Sequence, residues 1–187
     1  MFPFIEIAYD TVKWSMMFVI SKWMTGGSFT DKAWQMSSLY TLLGFLTYNV
    51  STRNFIETGK GNKKLVLDDL VKFGTMFITA RFLSGGSLLN SAWLYGTFAT
   101  LMGFIVYDLV TVKLAKGNQL TYITGLQNTI DDWVKFGTMC VVSRLVSCET
   151  LLDPKWFASC IGILTGFTVF DVMFSGIIDP MSTRRPL

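Results

Sequence analysis

The sequence of 187 residues contains no histidine, few charged residues and only three cysteines. Without histidine, the chain lacks the commonest general base, the commonest metal ligand and every histidine-dependent catalytic triad. The cysteines, Cys140, Cys148 and Cys160, have spacings of eight and twelve residues, which match no zinc motif. We interpret them as small side chains compatible with a membrane, and a disulfide is the alternative.

Motifs of catalysis and ligand binding are also missing. The sequence has no nucleophile–base pair, metal cluster or redox motif, and Gly85-Gly86 has neither the lysine nor the strand of a phosphate-binding loop. The net charge of +3 is too small and too dispersed to predict nucleic-acid binding. We therefore predict a protein that is not an enzyme, has no cofactor or metal site and does not bind nucleic acid.

Apolar residues are correspondingly abundant. Hydrophobic residues make up 51% of the chain and charged residues 16%, whereas a soluble domain carries about 25% charged residues. The mean hydropathy is +0.44. These values predict an integral membrane protein. A soluble bundle would have to bury the uncharged run 91–107 on all sides, which is hard for a short chain. The N-terminus has no basic region typical of a cleaved signal peptide.

One segment of forty residues occurs three times without a gap. The copies are residues 10–49, 69–108 and 132–171. The second and third copies share 17 of 40 positions, and the first and second share 15. Eight positions are identical in all three copies, including Lys13/Lys72/Lys135, Trp34/Trp93/Trp156, Gly44/Gly103/Gly166 and Phe45/Phe104/Phe167. The chain is therefore a triplicated unit.

Each copy divides into two predicted helices around a short polar loop. In the second copy the first helix covers residues 69–83, and the second begins near Asn90, after the Gly-Gly break. Asp31 and Asp153 occupy the aligned N-cap position in the other copies. The second helix is a predicted membrane span, because about 20 mainly apolar residues cross a bilayer. The predicted interface anchors at its entrance are Trp34, Trp93 and Trp156.

The first helix of each copy has a shorter uncharged part, because two basic residues, such as Lys72 and Arg81, enclose only eight uncharged ones. Basic side chains that extend to the interface lengthen such a span. We predict that this helix crosses the membrane, tilted or shielded by protein, and the alternative is an amphipathic helix at the interface. The predicted fold is all-α: an integral membrane helical bundle of three tandem two-helix hairpin repeats, with about six transmembrane helices in a single membrane domain, 1–187.

The connectors and the tail hold most of the basic residues outside the helices. Residues 50–68, 109–131 and 179–187 carry eight Lys or Arg, whereas the hairpin loops carry Lys32 and Lys155. The positive-inside rule then places both termini and both connectors on the cytosolic side. Three repeats inserted in the same direction are related by a pseudo-threefold axis along the membrane normal.

Each second helix also carries a polar residue within the predicted span, namely Asn49, Asp108 or Asp171. Ionisable residues at membrane depth are usually paired. Counting from the loop at about 1.5 Å per residue places each of these residues at the depth of the lysine of its own copy. We predict interhelical pairs that connect the two helices, with a proton or ion relay as the alternative. The pairs are Lys13–Asn49, Lys72–Asp108 and Lys135–Asp171.

Glycines lie in the middle of each second helix, where glycine lowers helix propensity. Gly44, Gly103 and Gly166 would let another helix approach closely, and Gly162 forms a GxxxG pattern with Gly166. We predict close helix packing at these positions. A kink that lines a substrate path is the alternative.

The Asp-x-Val-Lys-aromatic repeat, the compact two-helix units and the polar tail from Asp179 to Pro186 resemble the small multispanning inner-membrane or minor capsid proteins of large icosahedral double-stranded DNA viruses. Such proteins lie in the internal lipid layer beneath the capsid. The resemblance covers the general build of the whole chain. It implies a virion-membrane or minor capsid role that links a bilayer to a protein shell, without catalysis and with capsid or scaffold proteins as partners.

Two functions follow as hypotheses. The first is a non-catalytic structural membrane protein that presents its loops and tail to a protein scaffold. The second is a small channel or transporter with a pathway between the three repeats. The lipid bilayer is a partner in both, and self-association into a homo-oligomer stays open in both.

Overall fold

The structure, a computed structural model, describes residues 4–52, 62–111 and 124–182. Within these ranges the chain is all-α and forms six α-helices. They are α1 (Phe4–Met24), α2 (Lys32–Thr47), α3 (Asn62–Leu83), α4 (Ser91–Val106), α5 (Thr124–Val146) and α6 (Pro154–Ser182). Five-residue π-helical segments, Tyr48–Thr52 and Tyr107–Thr111, continue α2 and α4. The central parts of both predicted connectors and the end of the predicted tail lie outside the described residues.

The second helix of each copy begins where the sequence predicts. The aligned residues Asp31, Asn90 and Asp153 each accept a hydrogen bond from a backbone N–H of the first helical turn, at 2.9 to 3.0 Å. These bonds satisfy N–H groups that have no partner within the helix. In the third copy, Pro154 stands at the first helical position, where its missing N–H costs no hydrogen bond.

The first helix of each copy ends at an aligned residue with left-handed backbone. Gly26 and Gly85 have φ of 67° and 68°, and Cys148 has φ of 54°. A glycine adopts this conformation at no steric cost, whereas a side chain at Cβ opposes it. The predicted breaks between the helices are therefore confirmed, and the third copy makes the same turn with a residue less suited to it.

The most extensive helix contacts join different copies. Helix α2 packs on α3, α4 on α5, and α6 returns to pack on α1. Helices of one copy, joined by the short loops, also contact each other, but over a smaller surface. Each first helix thus lies between the second helix of its own copy and that of the preceding copy. The bundle closes because the last helix of the chain meets the first.

Two of the described helical segments are long and apolar enough to cross a membrane, Ser91–Thr111 and Pro154–Phe174. Each has 21 residues, and these segments are the second helices of the second and third copies. The most apolar window of the first segment is 28% buried within the protein, and that of the other segment is 39% buried. Most of both windows therefore faces outward. The other four helices do not meet the same criteria of length, hydropathy and charge.

Candidate functional site

Six charged side chains of the first helices meet inside the bundle and form three ion pairs. We call this set the charge cluster. Its pairs are Lys72–Asp10 at 3.0 Å, Lys135–Asp69 at 2.6 Å and Lys13–Asp132 at 2.5 Å. The side chains retain between 8% and 21% of their exposure, so they are largely removed from solvent. Each lysine binds the aspartate of the preceding copy, and the third copy pairs back to the first.

The predicted partner of each lysine is therefore wrong. The sequence predicts that Lys72 pairs with Asp108 of its own copy, but its ammonium group binds Asp10 on α1. Lys135 likewise binds Asp69 rather than Asp171. The reason is packing, because each first helix lies against the preceding copy over a larger surface than against its own second helix. Each lysine therefore pairs across the boundary between two copies and not within its own hairpin.

The polar residues of the second helices lie at the edge of the same cluster. Asn49 donates a hydrogen bond to Asp10 at 2.8 Å, and it does not pair with Lys13. Asp108 is buried within electrostatic reach of Asp69 and Lys135. In the third copy the same arrangement brings Asp171 beside Asp132 and Lys13. Asp108 and Asp171 therefore each lie near the aspartate of their own copy and the lysine of the next, and Asn49 bonds the aspartate of its own copy.

Six aromatic rings form the next layer along the helices, and we call them the aromatic cluster. Trp14, Phe73 and Phe136 contact one another at centroid distances of 5.5 to 6.3 Å, so they lie at the middle of the bundle. Each stacks on a phenylalanine of its own copy at 3.8 to 4.4 Å, and each meets the phenylalanine of the preceding copy edge-on. The phenylalanines are Phe45, Phe104 and Phe167. Stacked and edge-on pairs add to the free energy of burial.

Close backbone contacts fix the distance between neighbouring copies. A Cβ added to Gly103 would lie 2.6 Å from Cα of Met139, and one added to Gly166 would lie 2.6 Å from Cα of Met17. At Gly44 the corresponding distance to Met76 is 2.7 Å. Gly162 adds a contact, with Ser21 at 3.0 Å. These distances agree with close helix packing at the predicted glycines, and each contact joins a second helix to the following first helix.

The last turn of each first helix, at the loop end of the bundle, carries one basic residue, and these three residues are not equivalent. Lys22 pairs with the cap residue Asp31 at 3.1 Å, and Arg144 pairs with the cap residue Asp153 at 3.0 Å. The hydrogen bond from Lys22 lowers the pKa of Asp31 below its ordinary value. Backbone hydrogen bonds, first that from Lys155, lower the pKa of Asp153. In the second copy the aligned cap residue is the neutral Asn90, so the ion pair is missing.

The predicted anchor tryptophans lie beneath these cations. The charged groups of Lys22, Arg81 and Arg144 stand 5.5 to 5.8 Å from the ring centroids of the tryptophans of their own copies. Such contacts are favourable cation–π interactions. The tryptophans thus lie at the loop end of the bundle, as the sequence predicts. The corresponding rings are Trp34, Trp93 and Trp156.

A cavity of about 890 Å³ lies between the aromatic cluster and the hairpin loops. Residues of all six helices line it. Rings of the aromatic cluster, such as Trp14 and Phe136, form its inner end, and Arg81 and Ser84 reach it near the loops. This space is not predictable from the sequence, because the residues that line it are mainly apolar or small, as in ordinary helix packing.

The described residues hold no group of three or more acidic or cysteine side chains that could bind a metal ion. Cys140, Cys148 and Cys160 are free thiols. The site therefore consists of the charge cluster, the aromatic cluster and the cavity. A comparison of the chain with protein-family models, curated proteins and solved structures finds no match.

Proposed function

We propose that this protein is a non-catalytic structural protein of a membrane, built from three two-helix repeats around a pseudo-threefold axis. Its six helices cross the bilayer, and its loops and tail are presented to a protein shell. A virion membrane beneath an icosahedral capsid is the setting that the resemblance of the sequence implies. The support comes from the distribution of polar and apolar side chains, from helix length and from the closed centre of the bundle.

The distribution of side chains is the opposite of that in a soluble bundle. The aspartates of the charge cluster are 6% to 7% exposed, whereas large apolar residues on the outside, such as Phe82 and Val172, are 70% to 73% exposed. Soluble monomers rarely expose large continuous apolar surfaces. Charged residues inside membranes, in contrast, face the interior of a bundle and pair with one another. A lipid environment accommodates both features.

Helix length supports spanning by the first helices as well as the second. Helices α1, α3 and α5 have 21, 22 and 23 residues. At about 1.5 Å per residue each is at least about 30 Å long, which is the thickness of the hydrocarbon core. Their buried charges are directed into the bundle, so the helices need not lie at the interface to solvate them. We therefore favour six spans over the interfacial alternative.

The observation that carries the structural role is the closed centre. Across the middle of the bundle, Trp14, Phe73 and Phe136 contact one another, and the three ion pairs lie in the adjacent layer. A conducting pathway needs an open polar route, whereas these two layers join the three copies by contacts that repeat around the bundle. The arrangement supports a rigid scaffold.

Co-purification tests the link to a shell. We expect the chain to purify with intact virions and to be released from the particle by detergent together with lipid. Chemical cross-links from the connector lysines, such as Lys60 and Lys116, should then reach a capsid or scaffold protein. A chain found alone in cellular membranes, with no cross-link to a scaffold, would contradict the proposal.

A small channel or transporter is the second candidate, because the cavity extends from the loop end of the bundle to the aromatic cluster and could hold a solute over that distance. Transport would require the aromatic cluster to open. Ion and solute flux into liposomes that contain the purified chain distinguishes the two. The structural proposal predicts no flux above that of empty liposomes for the native chain. It predicts the same for a Phe73→Ala variant, in which the aromatic cluster loses one ring. Flux through the native chain would support the transporter instead.

A further inference from the structure

The three copies differ at the loop end in a way that affects the cavity. Arg81 is the one residue among the three aligned cations that lines it. Lys22 and Arg144 are turned toward acidic cap residues, at 3.1 and 3.0 Å. Because the cap residue of the second copy is Asn90, Arg81 has no carboxylate within ion-pair distance among the described residues. The cavity therefore has one guanidinium group whose charge is not neutralised by a neighbouring acid.

The contacts of Arg81 hold it in place without a carboxylate partner that would neutralise its charge. Its Nε donates a hydrogen bond to the carbonyl of Ser87 at 3.1 Å, and its guanidinium carbon lies 5.8 Å from the centroid of the Trp93 ring. A planar guanidinium group can bind a carboxylate or a phosphate through two parallel hydrogen bonds. A positioned cation at the edge of an apolar space favours an anion with an apolar body.

We propose that the cavity binds a single-chain amphiphile with an anionic head. The acyl chain lies in the apolar space that ends at Trp14 and Phe136, and the head group binds Arg81. The volume of about 890 Å³ is within the range of about 300–1,000 Å³ found for small-molecule sites. Such sites are mainly apolar, with a few polar groups that fix orientation, and this cavity has that composition.

Tryptophan fluorescence gives a direct assay, because Trp14, Trp93 and Trp156 line the cavity. The full chain is placed in nanodiscs of zwitterionic phospholipid and titrated with bromine-labelled palmitate, which quenches tryptophan on contact. We expect saturable quenching at one molecule per chain. Unlabelled palmitate and palmitoyl lysophosphatidate should compete, and hexadecanol, which has the same chain without the charge, should not. The stronger of the two anionic competitors identifies the head group as carboxylate or phosphate.

Two pairs of variants separate the contribution of the Arg81 charge to binding from that of the cavity volume. Arg81→Gln should weaken binding by about tenfold or more, as expected for loss of hydrogen bonds to a charged group. Arg144→Gln, at the aligned position outside the cavity, should leave it unchanged. Gly96→Leu should abolish saturable quenching, because Gly96 lines the cavity and a Cβ there meets nothing within 4 Å.

Gly74→Leu is the control for the filled cavity, because Gly74 has equally open surroundings but does not line the space. Circular dichroism establishes that each variant retains its helical content. Quenching that rises linearly and never saturates would overturn the proposal. Equal competition by hexadecanol, or an unchanged dissociation constant in Arg81→Gln, would overturn it as well.

Discussion

Removal of Lys135 from the charge cluster should cost more unfolding free energy than removal of the aligned Lys72. In the native chain Lys135 binds Asp69 at 2.6 Å and lies within electrostatic reach of Asp108. The change Lys135→Met keeps the aliphatic stem but leaves two buried carboxylates without their cation. Breaking a buried pair in this way typically costs about 3–5 kcal/mol of unfolding free energy, and we expect a value in that range.

The aligned lysine provides a matched control. Lys72→Met removes the partner of Asp10, but that carboxylate keeps the hydrogen bond from Asn49 at 2.8 Å. A hydrogen bond to a charged group contributes about 1.5–3 kcal/mol. Lys72→Met should therefore cost less than Lys135→Met, by about 1.5 kcal/mol or more. The difference arises because the first copy has a neutral amide where the second has a carboxylate.

Unfolding in mixed micelles of increasing sodium dodecyl sulfate content, followed by circular dichroism, measures both values. A double-mutant cycle of Lys135→Met and Asp69→Asn should give a coupling energy of about 1–3 kcal/mol, whereas Lys72→Met and Asp108→Asn should be additive within about 0.5 kcal/mol. Equal costs for the two lysine variants would refute the arrangement. So would coupling between Lys72 and Asp108 larger than that between Lys135 and Asp69.

Three further predictions concern single positions. Gly103→Ala should lower the unfolding free energy by about 1–3 kcal/mol, because the added Cβ would meet the backbone of Met139. Gly96→Ala in the same helix should raise it by about 0.5–1 kcal/mol, because a Cβ there meets nothing within 4 Å. Equal changes for the two variants in micelle unfolding would contradict the close contact. Cys148→Gly should raise stability by about 0.5–1 kcal/mol because φ is 54° there, and Cys148→Ala should give no such gain in the same assay. Backbone hydrogen bonds lower the pKa of Asp153 in the folded protein, so the ionised carboxylate stabilises the fold. This stabilisation is complete above the ordinary pKa of 3.8 and is lost as the pH falls through the lower pKa of the folded state. An acid titration of stability should show this loss in the native chain and not in Asp153→Asn, and identical acid dependence would refute it.

The sequence was informative where the signal is local. Cap residues such as Asp31 fixed the start of the second helices, because a side-chain oxygen that binds the first N–H groups depends on a few neighbouring residues only. The aligned Gly44, Gly103 and Gly166 indicated close packing for a similar reason, since a missing Cβ permits backbone approach whichever helix is the neighbour.

The choice of neighbour was not predictable from one copy. Counting residues along two helices gives the position of Lys72 along the bundle but not which neighbouring helix carries its partner. That partner, Asp10, lies 62 residues earlier in the chain. The acid of the Asp-x-Val-Lys repeat carried the missing signal, because an aspartate and a lysine at aligned positions can pair around a closed ring. The π-helical segment that contains Asp108 and the cavity reached by Arg81 depend on packing between copies, and nothing in the local pattern indicates them.

The membrane topology is the central claim, and single-cysteine labelling measures it directly. In a chain whose three native cysteines are replaced, one cysteine is introduced at Ser87 in a hairpin loop, or at Lys60 or Lys116 in a connector. A membrane-impermeant maleimide is then applied to sealed vesicles of known orientation.

The account predicts that Lys60→Cys and Lys116→Cys label from the cytosolic side and Ser87→Cys from the opposite side, because each first helix crosses the bilayer once. Labelling of Ser87→Cys and Lys60→Cys from the same side would mean that the first helices do not span, and the six-span bundle would be contradicted.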